Sequence, residues 1–312
     1  MPMPVISLFG IGARILRRHI RVLLTVAVLV QLPGAIIDAI AQQRLAESVS
    51  PLFVGLDTDT PRILTPTDAQ TSQILGALGV VAGTMLLSML LGAIATVAYA
   101  TVVSRDYHAV ATNLREVLGI AARRSVAAVA AVIMATLAVL AVIAITTLLA
   151  LGSVVLLPSG SGEVGGLGMF FALVIGVGGA ALAVTLLVRL CLATIAVALE
   201  GIGPATAIRR SWHLTGSNTW RTLGVLLLAT IIVSVVGSVL VRLLGVLVTD
   251  TIGTWLGDPL TVDDLVAAGV AVLLAPVAVV VQTALYFDLR VRRDGWEVPP
   301  PVGADDGVPN AG

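Results

Sequence analysis

The sequence predicts an all-α protein, a polytopic bundle of six transmembrane helices with short amphipathic helices at the membrane surface. Of its 312 residues, 58% are hydrophobic and only 12% are charged. Soluble domains are about 45–50% apolar and about 25% charged, so a single water-soluble core explains this composition poorly. Six apolar runs are long enough to cross a hydrocarbon core about 30 Å thick. The polar stretches between them alternate in charge.

The six apolar runs are the predicted spans, and each holds about 20 or more residues. We place them at about residues 20–41, 74–103, 126–157, 167–199, 222–249 and 265–287. Several exceed 25 residues, so they must tilt or extend beyond the bilayer. Residues 1–298 are predicted to form one membrane domain. Residues 299–312, rich in Pro, Gly and Asp, are predicted to be a disordered tail.

The first apolar run has two interpretations. Four arginines between residues 14 and 21 precede it, and residues 39–41 have the small-x-small pattern of a signal-peptide cleavage site. The run is longer than a signal core and contains Pro33 and Asp38, which favours an uncleaved transmembrane helix. Residues 5–19 predict an amphipathic helix leading into it.

The distribution of arginine predicts the orientation in the membrane. Fourteen arginines lie in the N-terminal segment, the hairpins 105–124 and 200–221 and the tail after residue 288. The three intervening loops, of which 42–73 is the longest, hold two arginines and nine acidic residues. Cytoplasmic loops carry the excess of basic residues, so we expect a multi-pass protein of the cell (inner or plasma) membrane with both termini in the cytoplasm.

Arginine pairs recur along the chain at the ends of apolar runs. They lie at 17–18, 123–124, 209–210 and 292–293, and two of them belong to the string Arg-Arg-Ser. The spacing is uneven. A degenerate repeat of helical hairpins and selection for positive charge on one side both explain the pattern, and the sequence leaves the two open.

Residues 200–221 predict a short interfacial helix between two spans. Pro204 suits its first turn, because the N–H that proline lacks would be unpaired there anyway. The helix would cover residues 205–214 and end at the breakers 216–218. Tryptophan rings are favoured at the headgroup level, and arginine binds lipid phosphates. The hairpin therefore supplies candidate lipid or partner contacts, with topological anchoring as the simpler alternative: Glu200, Arg209, Arg210, Trp212, Trp220 and Arg221.

Arg189 is a further candidate, because it lies in the fourth apolar run. An arginine inside a span costs from about 2.5 kcal/mol upward and usually faces a bundle interior or a polar cavity. Residues 167–188 are already long enough to span, in which case Arg189 lies at the interface and extends its charged group outward. The sequence leaves both placements open.

No set of residues predicts catalysis or cofactor binding. The chain contains no His/Cys/Asp/Glu pattern with metal-ligand spacing, no phosphate-binding glycine loop and no nucleophile elbow. The lone Cys191 has no second thiol to pair with. The arginine clusters lack the aromatic interleaving of nucleic-acid surfaces, so we expect no nucleic-acid partner. The glycines at 176–179 predict close helix packing.

The string ALEGIGPATAIRRSWHLTGSNTWRTLGVLLL, residues 198–228, resembles the membrane-domain family named after glycerophosphoryl diester phosphodiesterase. In that family a Glu, a Gly-Pro pair, a helix with Ala-x-x-x-Ser-Trp-x-Leu-Thr and a Trp-Arg-x-x-Gly motif recur in this order. The ending LYFDLRVRRDGWEV, residues 285–298, is similar to actinobacterial members. The two stretches together cover some 45 residues.

The chain departs from the family pattern at residues 192–195, where members often carry a proline. The phosphodiesterase itself is a separate soluble barrel with metal-binding Glu, His and Asp residues, and no such domain is present in this sequence. The resemblance therefore implies a six-helix membrane module and no phosphodiesterase activity.

Two functional hypotheses follow from these patterns. The first is a non-enzymatic scaffold or accessory component that contacts membrane lipids or another membrane protein through its basic hairpins. The alternative is a small transporter or lipid carrier with Arg189 in its binding pocket. An Arg189 in a polar cavity favours the carrier, and an Arg189 at the lipid interface favours the scaffold.

Overall fold

The structure is a computed structural model that describes residues 5–49, 68–108, 110–156, 166–256 and 259–295. Within those ranges all regular secondary structure is helical. The helices are α1 (Val5–Val26), α2 (Leu32–Val49), α3 (Asp68–Tyr107), α4 (Leu114–Leu156), α5 (Gly166–Leu190), α6 (Ala193–Glu200), α7 (Pro204–Thr215), α8 (Thr219–Leu256) and α9 (Pro259–Asp294), with a π-helical turn, Ala27–Gln31, between α1 and α2.

Six helical segments are long and apolar enough to cross a membrane. They are Phe9–Val49, Asp68–Tyr107, Leu114–Val155, Leu167–Glu200, Thr219–Val248 and Asp264–Asp294. The predicted fold class is therefore confirmed, and the chain is a multi-pass membrane protein. The predicted tail, residues 299–312, lies outside the described residues.

The first span follows one helical path with two irregularities. His19 has φ −110° and ψ 17°, so α1 bends where the amphipathic helix is predicted to end. The π turn follows at Ala27–Gln31, directly before Pro33. Proline has no N–H to donate to the carbonyl four residues earlier, so a helical hydrogen bond is missing at this point. We attribute the local change of helix type to that loss.

The predicted loop 42–73 is shorter in the structure, because helices enter it from both sides. α2 continues to Val49 and α3 already begins at Asp68. Side chains four residues apart support the end of α2: the amide of Gln42 donates to Asp38 at 2.9 Å, and that of Gln43 donates to Glu47 at 3.3 Å. Such pairs stabilise a helix that has left the membrane. Residues 50–67 lie outside the described chain.

The sequence predicts one continuous span at residues 167–199. In the structure this span is divided into two helices. α5 ends at Leu190, a turn follows, and α6 begins at Ala193. The hydroxyl of Ser211 in α7 donates to the carbonyl oxygen of Arg189 at 2.6 Å. In an unbroken helix that carbonyl would accept from the N–H four residues later. A side chain that takes over such a carbonyl is a known cause of a helix break.

The buried core lies towards one end of the molecule. α6 and the facing parts of α3 and α9 supply most of it, with Tyr99, Tyr286 and Phe287 among the largest fully buried side chains. The ring of Tyr107 also packs on Phe287, with centroids 4.7 Å apart. In contrast, α4, α5 and α8 expose many large apolar side chains over their length, as surfaces in contact with lipid do.

In the hairpin of α4 and α5, the two helices pack closely at one glycine. A Cβ atom at Gly179 of α5 would collide with the side chain of Thr146 in α4. Small residues allow membrane helices to approach in this way, since van der Waals packing is a main source of their association. A Cβ at Gly176 or Gly178 would meet no neighbour within 4 Å among the described residues, so there Gly179 alone of the predicted glycine cluster has this role.

Candidate functional site: the arginine-rich end

The core end of the molecule also carries most of the arginines. We call it the arginine-rich end and define it by the N-terminal half of α1, the α3–α4 connection, α6, α7, the first turn of α8 and the last turns of α9. The short helix α7 forms as predicted, with Pro204 in its first turn and the chain leaving the helix at Gly216. It thereby places two arginines and a tryptophan beside the end of α6.

Glu200, the last residue of α6, is the centre of one polar cluster. Its Oε1 accepts a hydrogen bond from Nε of Arg210 at 3.1 Å and another from the hydroxyl of Tyr286. Nε of Arg290 lies 3.9 Å from the same oxygen. The side chain of Glu200 is only 18% exposed. Its carboxylate therefore joins α6 to α7 and α9.

Asp294, at the end of α9, pairs with the same two arginines. Both terminal nitrogens of Arg210 donate to its carboxylate, a two-point geometry that suits a planar guanidinium. Burial alone would lower the pKa of Arg210, but the hydrogen bond to Asp294 and the charge of Glu200 outweigh burial and raise that pKa above its ordinary value. Arg210 thus stays charged between two carboxylates.

Asp288 is the centre of a second cluster, one turn and a half before the end of α9. Its side chain is 1% exposed, and its Oδ2 lies 3.0 Å from a nitrogen of Arg221 and 3.0 Å from Nε of Arg292. A buried carboxylate is tolerated only when it is paired and hydrogen-bonded. Arg221, in the first turn of α8, therefore fixes the start of α8 against α9.

The end of α6 is also capped from the side of α4. The guanidinium of Arg124 donates to the carbonyl oxygen of Ala198. Gly201 then ends the helix with φ +65°, and its N–H donates to the carbonyl oxygen of Val197 at 3.0 Å. This left-handed conformation favours glycine. A cation at the C-terminus of a helix is also favoured by the helix dipole.

The two Arg-Arg-Ser strings therefore divide their arginines in the same way. Arg124 and Arg210 point inward to α6, and each is partly buried. Arg123 and Arg209 are exposed, and neither has a hydrogen bond or ion pair within the described part of the chain. The second arginine of each string holds the fold together, and the first faces outward.

Arg189 lies in the last turn of α5, beside α7. Its guanidinium carbon is 4.5 Å from the ring centroid of Trp212, a cation–π contact. Nε of Arg189 is buried and has no hydrogen-bond partner among the described residues. Arg189 lines neither the groove between α4, α5 and α8 nor the cavity between α4 and α5.

The two tryptophans of the predicted hairpin are on the surface. Trp212 is 43% exposed and Trp220 is 85% exposed. Of the seven predicted site residues, the structure thus places Glu200, Arg210 and Arg221 in ion pairs, and Arg189 against Trp212. Arg209 and Trp220 are exposed and make no side-chain contact of this kind within the described part of the chain.

A smaller polar cluster lies at the other side of the arginine-rich end. One carboxylate oxygen of Asp106 is 2.8 Å from Nε2 of His19 and 3.2 Å from a nitrogen of Arg18. Arg105 pairs with Glu116 at 2.6 Å. These contacts tie α1 and α4 to the end of α3.

Sequence reasoning missed the acidic partners of the arginines. Asp288 and Asp294 were not among the predicted site residues, although each stands four residues from an arginine of α9. The spacing of Asp288 and Arg292, and of Arg290 and Asp294, is the spacing of paired charges on one helix face. That signal could have identified both acids.

No group of three or more metal-ligating side chains occurs within the ranges that the structure describes. The sequence matches one protein family over residues 3–289, and the description of that family is Domain of unknown function (DUF7847). No curated protein matches the chain. No solved structure matches it either.

Proposed function

The chain belongs to the DUF7847 family, and we propose that it is a non-enzymatic membrane scaffold whose outward arginines bind the phosphate groups of anionic lipids. The inward arginines and their carboxylates form the rigid frame. The outward arginines form the contact surface. By this proposal the arginine-rich end faces the cytoplasm, where anionic lipids attract basic segments.

One observation carries the proposal: within each Arg-Arg-Ser string, only one arginine is used by the fold. Arg210 and Arg124 have protein acceptors, whereas Arg209 and Arg123 are exposed without one in the described chain. Internal pairing does not explain Arg123 and Arg209, because the fold does not use their side chains. A charge held outward on a rigid helix is suited to a phosphate.

The surroundings of Arg209 support a contact with the headgroup layer. Trp212 and Trp220 are exposed on the same hairpin, and an indole ring is favoured at the boundary between hydrocarbon and headgroups. Arg189 stacks on Trp212 at the end of α5, and its Nε has no hydrogen-bond partner among the described residues. By this proposal Trp212 and Trp220 hold the hairpin at the headgroup layer, where Arg209 reaches lipid phosphates.

The test compares lipid retention in nanodiscs that contain equal amounts of phosphatidylglycerol and phosphatidylcholine. The protein is released into the mass spectrometer, and the lipids that stay bound are counted. We expect the wild type to retain phosphatidylglycerol in excess, and Arg123→Gln/Arg209→Gln to lose most of that excess. Each arginine near an anionic surface contributes about 1 kcal/mol, so two correspond to roughly 30-fold in binding.

Arg242→Gln is the matched control. Arg242 is exposed on α8, about 35 Å along the helix from Thr219 by the helical rise, and therefore at the opposite end of the molecule. It should leave the excess unchanged. An unchanged excess in the double variant would overturn the proposal, as would a co-purifying protein that depends on Arg123 and Arg209 in the absence of any lipid preference.

The carrier hypothesis has less support from the geometry. It requires Arg189 in a polar binding pocket, whereas its guanidinium lies over the ring of an exposed tryptophan. The relation to the membrane domain of glycerophosphoryl diester phosphodiesterase stays a prediction from the residues that resemble that family.

A further inference from the structure

A groove of about 610 Å³ lies between α4, the α5–α6 segment and α8, with α9 behind it. Five helices line it, and one lining residue from each, in the order α4, α5, α6, α8 and α9, is Thr136, Leu187, Thr194, Thr230 and Gln282. Clefts of about 300–1,000 Å³ are the size that holds one small ligand. The groove is separate from the ion-paired clusters described above.

The groove opens sideways, towards the region that lipid occupies. Three of its lining residues remain more than half exposed: Leu140 at 53%, Leu187 at 54% and Leu227 at 55%. All belong to segments long and apolar enough to span a membrane. No lining residue carries a charge. The surroundings and the lining therefore favour an uncharged, apolar occupant.

Gln282 gives the groove one amide side chain that can hydrogen-bond an occupant. It is the amide side chain of the groove, it belongs to α9, and it makes no hydrogen bond to another residue of the described chain. An amide without a hydrogen-bond partner is unfavourable in hydrocarbon. A carbonyl oxygen of the occupant would accept a hydrogen bond from Nε2 of Gln282 and remove that cost.

The position of Gln282 along α9 is where the ester groups of a glycerolipid are expected if the arginine-rich end lies at the headgroups. It lies four residues before Tyr286, so it is about 6 Å further into the membrane than the Tyr286–Glu200 contact, by the helical rise. Ester carbonyls lie directly beneath the headgroups, where polar and hydrocarbon layers meet. A free headgroup charge at this depth would meet no countercharge from the lining.

The size of the groove argues against a helix of another protein. A helix with its side chains is about 10–12 Å across, and one that crosses the membrane needs far more space than this groove offers. An acyl chain is narrow and flexible, and it can follow an irregular apolar surface.

We infer that the groove binds one membrane glycerolipid, with an acyl chain between α4, α5 and α8 and an ester carbonyl on Gln282. The occupant is recognised by its acyl and ester groups and not by its headgroup. This inference is independent of the proposed function, which concerns headgroup charge at the arginine-rich end.

The test is the lipid content of the full chain after extensive washing in a mild detergent, measured by native mass spectrometry and by lipid extraction. We expect the wild type to keep one glycerolipid per protein, irrespective of headgroup. Thr136→Trp, which places an indole in the groove, should lower that occupancy at least fivefold. Gln282→Leu should lower it by a smaller factor, because the apolar contacts remain.

Leu137→Trp is the matched control, because Leu137 neighbours Thr136 on α4, is 60% exposed and does not line the groove. It should retain the lipid. The inference is overturned if Thr136→Trp keeps the same lipid as Leu137→Trp, or if the retained molecule has no ester carbonyl. Arg123→Gln/Arg209→Gln should lose the preference for phosphatidylglycerol and still keep this lipid, so the two proposals fail separately.

Discussion

The strings Arg123-Arg124-Ser125 and Arg209-Arg210-Ser211 lie in different helices, and each directs its second arginine to the end of α6. They differ in what they bind there. Arg124 donates to a neutral backbone carbonyl, whereas Arg210 lies between the carboxylates of Glu200 and Asp294. The serines differ too. Ser125 donates within its own helix, and Ser211 donates to α5.

This difference separates two kinds of constraint on the same short helix. The α4 string caps α6 through its dipole and can be lost without leaving an unpaired charge. The α7 string joins α5, α6 and α9 through charges, so its loss leaves carboxylates without their cation. The two strings have the same sequence, but they stabilise the fold through different interactions.

The largest effect is expected for Arg210→Gln. It removes the cation between Glu200 and Asp294, and we expect a loss of about 2–3 kcal/mol in unfolding free energy. This is less than for a fully buried pair, because these side chains are partly exposed and Arg290 is also near Glu200. Denaturation in detergent measures it. Glu200→Gln/Arg210→Gln should recover part of the loss. Additive losses in the double variant would contradict a coupled ion pair.

A smaller effect is expected for Arg124→Ala, which removes a charged donor from the end of α6. We expect a loss of about 1–2 kcal/mol by the same denaturation measurement. Arg123→Ala, the exposed neighbour, should change stability by less than about 0.5 kcal/mol. Equal losses for the two variants would refute the division into inward and outward arginines.

The smallest change in stability is expected for a substitution at Gly201, directly after the end of α6 to which both strings bind. Its φ of +65° disfavours a side chain, and an added Cβ would lie 3.2 Å from a nitrogen of Arg124. Gly201→Ala should cost about 1 kcal/mol. Gly119→Ala, in α4 where an added Cβ meets no described neighbour within 4 Å, should instead stabilise the protein by up to about 1 kcal/mol. Thermal melting of the two variants measures this. A lower melting temperature for Gly201→Ala and a higher one for Gly119→Ala would show that backbone conformation determines the effect of the added methyl group.

Local patterns allowed much of the fold to be predicted. Apolar runs identify the spans, and Pro204 with the breakers at 216–218 identifies α7, because these signals act over a few residues. The pairing of Arg221 with Asp288 joins residues 67 positions apart, which no periodic pattern indicates. The break after Leu190 was also missed, since it depends on Ser211 and not on a local glycine or proline.

The candidate site was predicted in its location and only partly in its organisation. The sequence identified Arg209, Arg210 and Arg221 as one set of candidates. In the structure Arg209 is exposed, whereas Arg210 and Arg221 are partly buried in ion pairs. Helical position alone does not decide which of two adjacent arginines meets a carboxylate, because the carboxylates come from α6 and α9. The orientation of the arginine-rich end in the membrane stays a prediction.

The π turn at Ala27–Gln31 gives the first span a point where chain length can vary. Such a turn holds one residue more than an α-helical turn, and each residue advances an α-helix by about 100°. Deleting one residue there would restore an α-helix and keep the faces of α1 and α2 aligned with their neighbours. The same deletion in the buried part of α3 would turn every later side chain away from its contacts. Insertions and deletions in related chains should therefore be found at this turn and be rare in α3.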